Sequence, residues 1–307
     1  MPSHYLDDAN VHYQWDATLA PRLTVEPGDT ITMDLRDAAD GHYGPHRSAE
    51  EMERPRVSRG HPLTGPVYIR GAEPGDTLVV EVLGLEHKGW GWTRCGASGG
   101  LLPGEFEPKL KIWALGDGYA EFKPGIRIPL EPFCGIMGIA PGEPGPHTTM
   151  PPRATGGNMD IRHLGAGATL FLPVQVPGAL FSAGDCHGAQ GDGEVCITGI
   201  EAPMQATFRF GLKKGYQIPG PQFMAPSPLS RTDTAGYYAT TGIGPDLMEG
   251  ARDAVRHMVD YLVREHQLTR EEAYLLCSVC VDLKISEIVD APNWIVSAYL
   301  PLSIFQA

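Results

Sequence analysis

A five-residue echo constrains this chain more than any other feature. Glu26-Pro27-Gly28-Asp29-Thr30 returns as Glu73-Pro74-Gly75-Asp76-Thr77. Proline presets φ at the second position of a turn, and glycine supplies the positive φ that a type II turn needs at the third. Alternating or β-branched residues flank both copies, as in Thr30-Ile31-Thr32-Met33 and Thr77-Leu78-Val79-Val80-Glu81-Val82, so each turn joins two strands. A looser relative runs from His163 through Gly167-Ala168-Thr169 into Leu170-Phe171-Leu172-Pro173-Val174. Three such units predict a sandwich or barrel of related β-units. The competing reading is chance recurrence of a common turn.

The rest of the chain fits many short strands. Its 38 glycines and 28 prolines fall singly between apolar runs in 307 residues, which marks turns rather than a low-complexity linker. Helical periodicity is confined to the C-terminal part. Leu247, Ala251, Ala254, Val255, Met258, Val259 and Leu262 recur at three- and four-residue spacing, and Thr269 three before Glu272 starts a second, capped helix through Ala273, Leu276 and Val279. Trp294 to Leu300 reads as a last strand. Strands, then a helical pair, then a strand predict a mainly β protein with α, its β-layers covered by helices.

The net charge of −13 argues against nucleic acid as a partner, since a phosphate backbone calls for clustered Lys and Arg. It argues equally against a basic membrane-surface helix. The first residues carry neither a basic start nor an apolar signal core, and six cysteines in so large a chain do not form a disulfide scaffold. A reduced, cytoplasmic protein is expected. Cys277 and Cys280 form a lone C-x-x-C on the second helix, where core packing is the expected role.

The chemistry concentrates in Gly184-Asp185-Cys186-His187-Gly188-Ala189-Gln190-Gly191-Asp192-Gly193-Glu194. Asp185 and His187 are two apart, so an extended backbone projects them to one side, and Asp192 and Glu194 repeat that spacing. Imidazole beside carboxylates suits Zn²⁺, Mn²⁺ or Fe²⁺. A turn-rich hairpin loop is the alternative. Three further segments hold candidates: Gly60-His61-Pro62, the acidic strand end Asp34 to Asp40, and Gly156-Gly157-Asn158-Met159-Asp160. Cys186 is the one cysteine beside a candidate base, yet neighbouring strand positions face opposite ways. No nucleophile elbow, Walker loop or dinucleotide fingerprint occurs.

On these segments, together with Asp37-Ala38-Ala39-Asp40-Gly41, His61 to Pro66, Gly71 to Asp76, Leu172-Pro173-Val174, Glu272-Ala273-Tyr274 and Pro292-Asn293, the chain resembles the acetamidase/formamidase family over about residues 10 to 305. The resemblance implies hydrolysis of small amides such as formamide or acetamide, with cyclic amides accepted by some relatives. It also implies a β/β/α layered, sandwich-like architecture with a C-terminal helical layer, a cytoplasmic location, a homo-oligomer and a bound metal. One domain over 1–307 is expected, with β-rich sub-units of about 10–155 and 156–307. Gly188, where the family usually has Ala, and the basic stretch from His42 to Arg59 depart from the family pattern and bear on substrate choice.

An amide resists hydrolysis because water is a weak nucleophile and the nitrogen a poor leaving group; a divalent ion and a proton-carrying carboxylate answer these in turn. Asp37, His61, Asp185 and His187 are therefore expected to hold the metal, zinc being the first choice. Glu194 is expected as acid/base, with Asp160 beside it in catalysis and Asn158 and Gln190 binding the amide. A metal-binding lyase or oxygenase, a non-catalytic small-molecule binder and a Cys186-dependent amidase are the competing classes.

Overall fold

The computed structural model describes residues 2–54, 59–96, 99–289 and 291–306. Residues 55–58, within the basic stretch from His42 to Arg59, lie outside the described residues. By contacts the chain forms two compact units, each assembled from three separated segments.

The first unit, Met1–Trp90, Pro132–His187 and Glu201–Leu229, holds the echo and gives it a structural meaning. Leu23–Val25 leads through the first copy into Thr30–Leu35, and Leu63–Ile69 leads through the second into Thr77–His87. The entering strands pair in parallel, Val25 opposite Ile69. The departing strands flank Met204–Lys213, one on each side. Gly28 and Gly75 sit at φ 97° and 94°, where a residue with a side chain would be strained. The carboxylates of Asp29 and Asp76 accept the amide N–H of Glu26 and Glu73 at 3.0 and 2.8 Å.

Each glycine also donates to a neighbouring strand, Gly28 to Phe210 O at 2.6 Å and Gly75 to Val174 O at 3.1 Å. The same neighbours return an N–H to the Asp carbonyls, at 3.2 and 2.9 Å. The third relative repeats this exchange: Gly167 donates to Val82 O at 2.8 Å, and Val82 donates to Ala168 O at 2.9 Å. The three turns thus share one hydrogen-bond scheme and occupy equivalent places between strands.

Gln14–Trp15 pairs separately with His147–Thr148, and most strands of this unit form two large sheets. One has six strands, ordered Ser3–Leu6, Thr30–Leu35, Met204–Lys213, Thr77–His87, Thr169–Pro173 and Gln222–Met224. The other has seven and runs from Pro152–Arg153 through Gly156–Asn158, Phe133–Gly138, Phe181–His187 and Leu63–Ile69 to Val11–His12, with Leu23–Val25 also on Leu63–Ile69. Thr30–Leu35 alternates strictly, Ile31, Met33 and Leu35 facing inward. The sheets meet where the Phe181 ring packs edge-on against Phe208 and Phe210, at centroid distances of 5.5 and 5.1 Å. Phe181 is fully buried, and truncating such a ring to alanine costs about 3–5 kcal/mol.

The second unit, Gly91–Glu131, Gly188–Ile200 and Ser230–Ala307, carries the helices. Tyr237–Gly244, Trp294–Pro301 and Asp282–Glu287 make an antiparallel three-stranded sheet with Trp294–Pro301 in the middle. Helix Leu247–His266 buries Ala254, Val255, Met258, Val259 and Leu262. It lies so close to the sheet that a Cβ on Gly242 would come within 2.0 Å of Gly250 O. Helix Arg270–Cys280 begins in a complete capping box, Thr269 with Glu272, as its sequence requires. Cys277 and Cys280 are buried on it, and none of the six cysteines is in a disulfide. Among the described residues no helix is long and apolar enough to cross a membrane.

Candidate active site

Strand Phe181–His187 is buried at every position and runs between Phe133–Gly138 and Leu63–Ile69. Its end carries Asp185 and His187. Asp185 leaves the extended conformation, at φ 53°, a left-handed value that costs a residue with a Cβ roughly 1–2 kcal/mol. Unusual backbone of this kind concentrates at functional sites. The two side chains still face one another, His187 Nε2 lying 3.6 Å from Asp185 Oδ1.

Strand register brings in the distant residues. Leu63 pairs with Gly184, so His61, two positions earlier, lies beside Asp185, with Nε2 3.8 Å from Oδ2. Thr149 Oγ1 accepts the His61 backbone N–H at 2.9 Å and lies 3.4 Å from its Nδ1. Across Phe133–Gly138, Ile136 pairs with Asn158, and the N–H groups of Met159 and Asp160 both donate to Gly135 O, at 3.0 and 3.2 Å. This fold-back puts Asp160, at φ 48°, 4.0 Å from His187 Nε2. Gly135 makes room for it: a Cβ there would lie 2.4 Å from Asp160 Oδ1 and 3.3 Å from Asp185 Oδ2.

Glu201 joins this group, and the sequence reading missed it. Its oxygen Oε2 lies 3.2 Å from His187 Nε2, and the two residues form an isolated bridge. Both are almost wholly buried. The available signal was a carboxylate between apolar neighbours in Gly199-Ile200-Glu201-Ala202, a position rarely occupied without a partner.

Burial and mutual charge set the titration of the group. Burial pushes the Glu201 carboxyl up to about 8, against the pull of the His187 imidazole and with the help of Asp185. Burial, reinforced by Asp185, raises Asp160 to about 6. Burial alone would raise Asp185 too, but His61 and His187 outweigh it and hold its carboxyl well below the usual range. For His187 burial favours the neutral ring, and Glu201 and Asp185 override it, pushing the imidazole well up.

One ligand atom each from Asp160, Asp185 and His187 lies within 4.8 Å of the others. Two carboxylates and an imidazole, gathered over a glycine that leaves space, fit a divalent cation.

The other expected residues lie as follows. Asp37 is buried, and its two carboxylate oxygens accept the N–H groups of Ala39 and Gly41 at 2.9 and 2.8 Å, closing its own turn. Asn158 Nδ2 donates to Met150 O at 2.9 Å, and its Oδ1 is buried without a hydrogen-bond partner. Gln190 and Glu194 belong to the second unit.

There the expected extended pair Asp192 and Glu194 is a turn, with Gly193 at φ 112° and Glu194 at φ 45°. Val195-Cys196-Ile197, expected as a strand, is irregular. Its polar groups are taken otherwise: Cys196 N–H donates to Ser278 Oγ at 3.1 Å, and Ile197 N–H turns back to Glu194 O at 2.8 Å.

Cys186 lacks the features of a nucleophile. It is completely buried with its Sγ 3.4 Å from Cys134 Sγ, and burial, then Cys134, pushes its thiol well up, whereas a reactive thiol needs a lowered pKa.

Known proteins share this arrangement of chain. The sequence model of the Acetamidase/Formamidase family matches residues 3–144 and 143–307. A formamidase from Methylophilus methylotrophus is 27% identical over 97% of this chain and 90% of its own. An acetamidase from Mycolicibacterium smegmatis is 28% identical over 61% of this chain and 62% of its own. Among solved structures, a gamma lactamase from Delftia acidovorans superposes with a TM-score of 0.90 at 26% identity, over 99% of this chain and 94% of that one. An acetamidase from Bacillus halodurans gives 0.68 at 29% identity over 97% of both. Matched along nearly its whole length, this chain belongs to the acetamidase/formamidase family.

Proposed function

We propose that the protein hydrolyses small amides at the Asp160, Asp185, His187 and Glu201 cluster, with a divalent cation, zinc first, held by Asp160, Asp185 and His187. The family supports amide hydrolysis, so the chain is read as an amidohydrolase acting on carbon–nitrogen bonds. The observation that carries the site is the convergence of three strands' ends and a fold-back on His187, with ligand atoms of Asp160, Asp185 and His187 within 4.8 Å of one another. Bound there, a divalent ion supplies Lewis acidity, polarising the amide carbonyl and acidifying a water.

The chain's own groups do the rest. Burial of Glu201 raises its carboxyl and favours the protonated form, and a buried carboxyl of this kind suits a group that takes a proton and returns it. It removes a proton from the attacking water as the carbon–oxygen bond forms. Glu201 then returns that proton to the amide nitrogen as the carbon–nitrogen bond breaks, releasing ammonia and a carboxylic acid, which loses its proton to become the carboxylate. Glu194 is proposed as a second proton carrier, and Asn158, with its unused Oδ1 acceptor, as a group that receives the amide N–H. Gln190 is proposed to assist in binding the amide. His61 lies beside Asp185 and supports its charge. Asp37 accepts two N–H groups of its own turn, but each carboxylate oxygen can accept more than one bond, so it remains a proposed further ligand.

The TM-score of 0.90 with the gamma lactamase favours a second reading, in which the substrate is a cyclic amide. A panel of short linear amides and small lactams separates the two. Linear substrates release ammonia; a lactam opens to an amino acid and releases none. Product formation from neither group would overturn the hydrolase reading. A cytoplasmic homo-oligomer remains part of the proposal, supported by the family resemblance.

A further inference from the structure

We infer that Tyr274 and Ser278 are positioning residues for Glu194, clamping the turn that carries it; this rests on the reading of Glu194 as a proton carrier. The two lie four apart on helix Arg270–Cys280, and so on one face. Both are almost wholly buried. The Tyr274 hydroxyl donates to Val195 O, the carbonyl next to Glu194, and accepts the Leu102 N–H at 3.1 Å. Leu101 N–H also donates to Val195 O, at 2.8 Å. Ser278 Oγ accepts the Cys196 N–H at 3.1 Å and donates to Thr198 O at 2.7 Å. Backbone bonds fix the other side of the turn: Gly191 N–H donates to Ser278 O at 2.8 Å, and Leu283 N–H to Asp192 O at 2.9 Å. Asp192 N–H reaches Asp282 Oδ1 at 3.1 Å.

The glycines record how tightly the turn is seated. A Cβ on Gly191 would fall 2.1 Å from Val281 O, and one on Gly100 would fall 2.7 Å from the Tyr274 hydroxyl. Glu194 itself holds φ 45°, a left-handed conformation that persists only where its surroundings enforce it. With no regular strand through this segment, side chains replace the ladder hydrogen bonds that would otherwise fix its backbone. A helix that supplies two such side chains sets where the Glu194 carboxylate points.

Tyr274→Phe tests this, because the ring keeps its stack on Phe106, 4.3 Å between centroids, and loses only the hydroxyl. Turnover is expected to fall on the order of 10- to 10²-fold, the scale of a displaced catalytic group, with KM and metal content unchanged. In a Glu194→Gln background the same change should add little, since both act on one proton carrier. Ser278→Ala is the parallel variant should Tyr274→Phe not fold, with the same expected pattern. Losses that multiply, or normal turnover in both clamp variants, would overturn the clamp while leaving Glu194 as carrier. Normal turnover in Glu194→Gln alone would overturn the Glu194 reading and the clamp with it.

Discussion

His187 Nε2 and Glu201 Oε2 lie 3.2 Å apart in a nearly solvent-free interior. Fourteen positions separate them in sequence, and Ala202 N–H donating to Cys186 O at 2.8 Å closes the loop between them. Each perturbs the other, so the pair is the electrostatic centre of the site.

Glu201→Gln keeps the side chain's shape and removes its proton exchange. Turnover should fall by roughly 10²- to 10⁴-fold, the usual cost of losing a general acid/base, with the fold unchanged by circular dichroism. A variant that turns over normally would remove Glu201 from the chemistry. One that loses bound metal would make it a ligand.

Gly135→Ala places a methyl 2.4 Å from Asp160 Oδ1 and 2.8 Å from Asp185 O. Because the second contact is backbone, relaxation must move the strand as well as Asp160. Metal affinity and turnover should both drop sharply, and zinc titration of the purified variant reads the first directly. Wild-type affinity would show that the glycine is not the cradle of the ion.

The paired turns make a stability prediction. Gly28 and Gly75 have open space for a Cβ but sit at φ 97° and 94°. Alanine at either should lower stability by a similar amount, about 1–2 kcal/mol, in denaturant unfolding, with activity retained. The pH arm follows from the turn carboxylates. Hydrogen bonds from Glu26 and His4 hold Asp29 below its usual range. Burial would raise Asp76, but Lys214 and the Gly215 and Glu73 amides lower it. A depressed folded pKa gives stability that is present above the unfolded value, about 3.9 for Asp, and lost as pH falls below it. Asp76→Asn should therefore flatten the acid limb of the stability curve; an unchanged limb would contradict this role.

The legible parts of the sequence are those with local causes. The Glu-Pro-Gly-Asp-Thr turns and the Thr269–Glu272 cap each satisfy their own backbone within a few residues, and Asp185 and His187 share a strand. His61, Asp160 and Glu201 arrive through strand register, a fold-back over Gly135 and an isolated bridge. No residue within ten positions of Glu201 announces its partner except His187's own acidic run. The misread segment, Val195-Cys196-Ile197, looked like a strand because it is apolar. Its hydrogen bonds go instead to a helix about 80 residues later.

Cys186→Ala should keep most of its turnover. The thiol is buried beside Cys134 and held protonated, so native protein should also resist alkylation until it unfolds. Loss of activity with metal still bound would point to a thiol mechanism.

The most direct test of the central claim follows metal content and amide hydrolysis together. Protein stripped by a chelator should release no ammonia from short linear amides and open no lactam. Stoichiometric zinc should restore the rate in wild type and fail to do so in His187→Ala, which lacks one of the proposed ligands. Metal-free protein that hydrolyses its amide at the original rate would contradict the account.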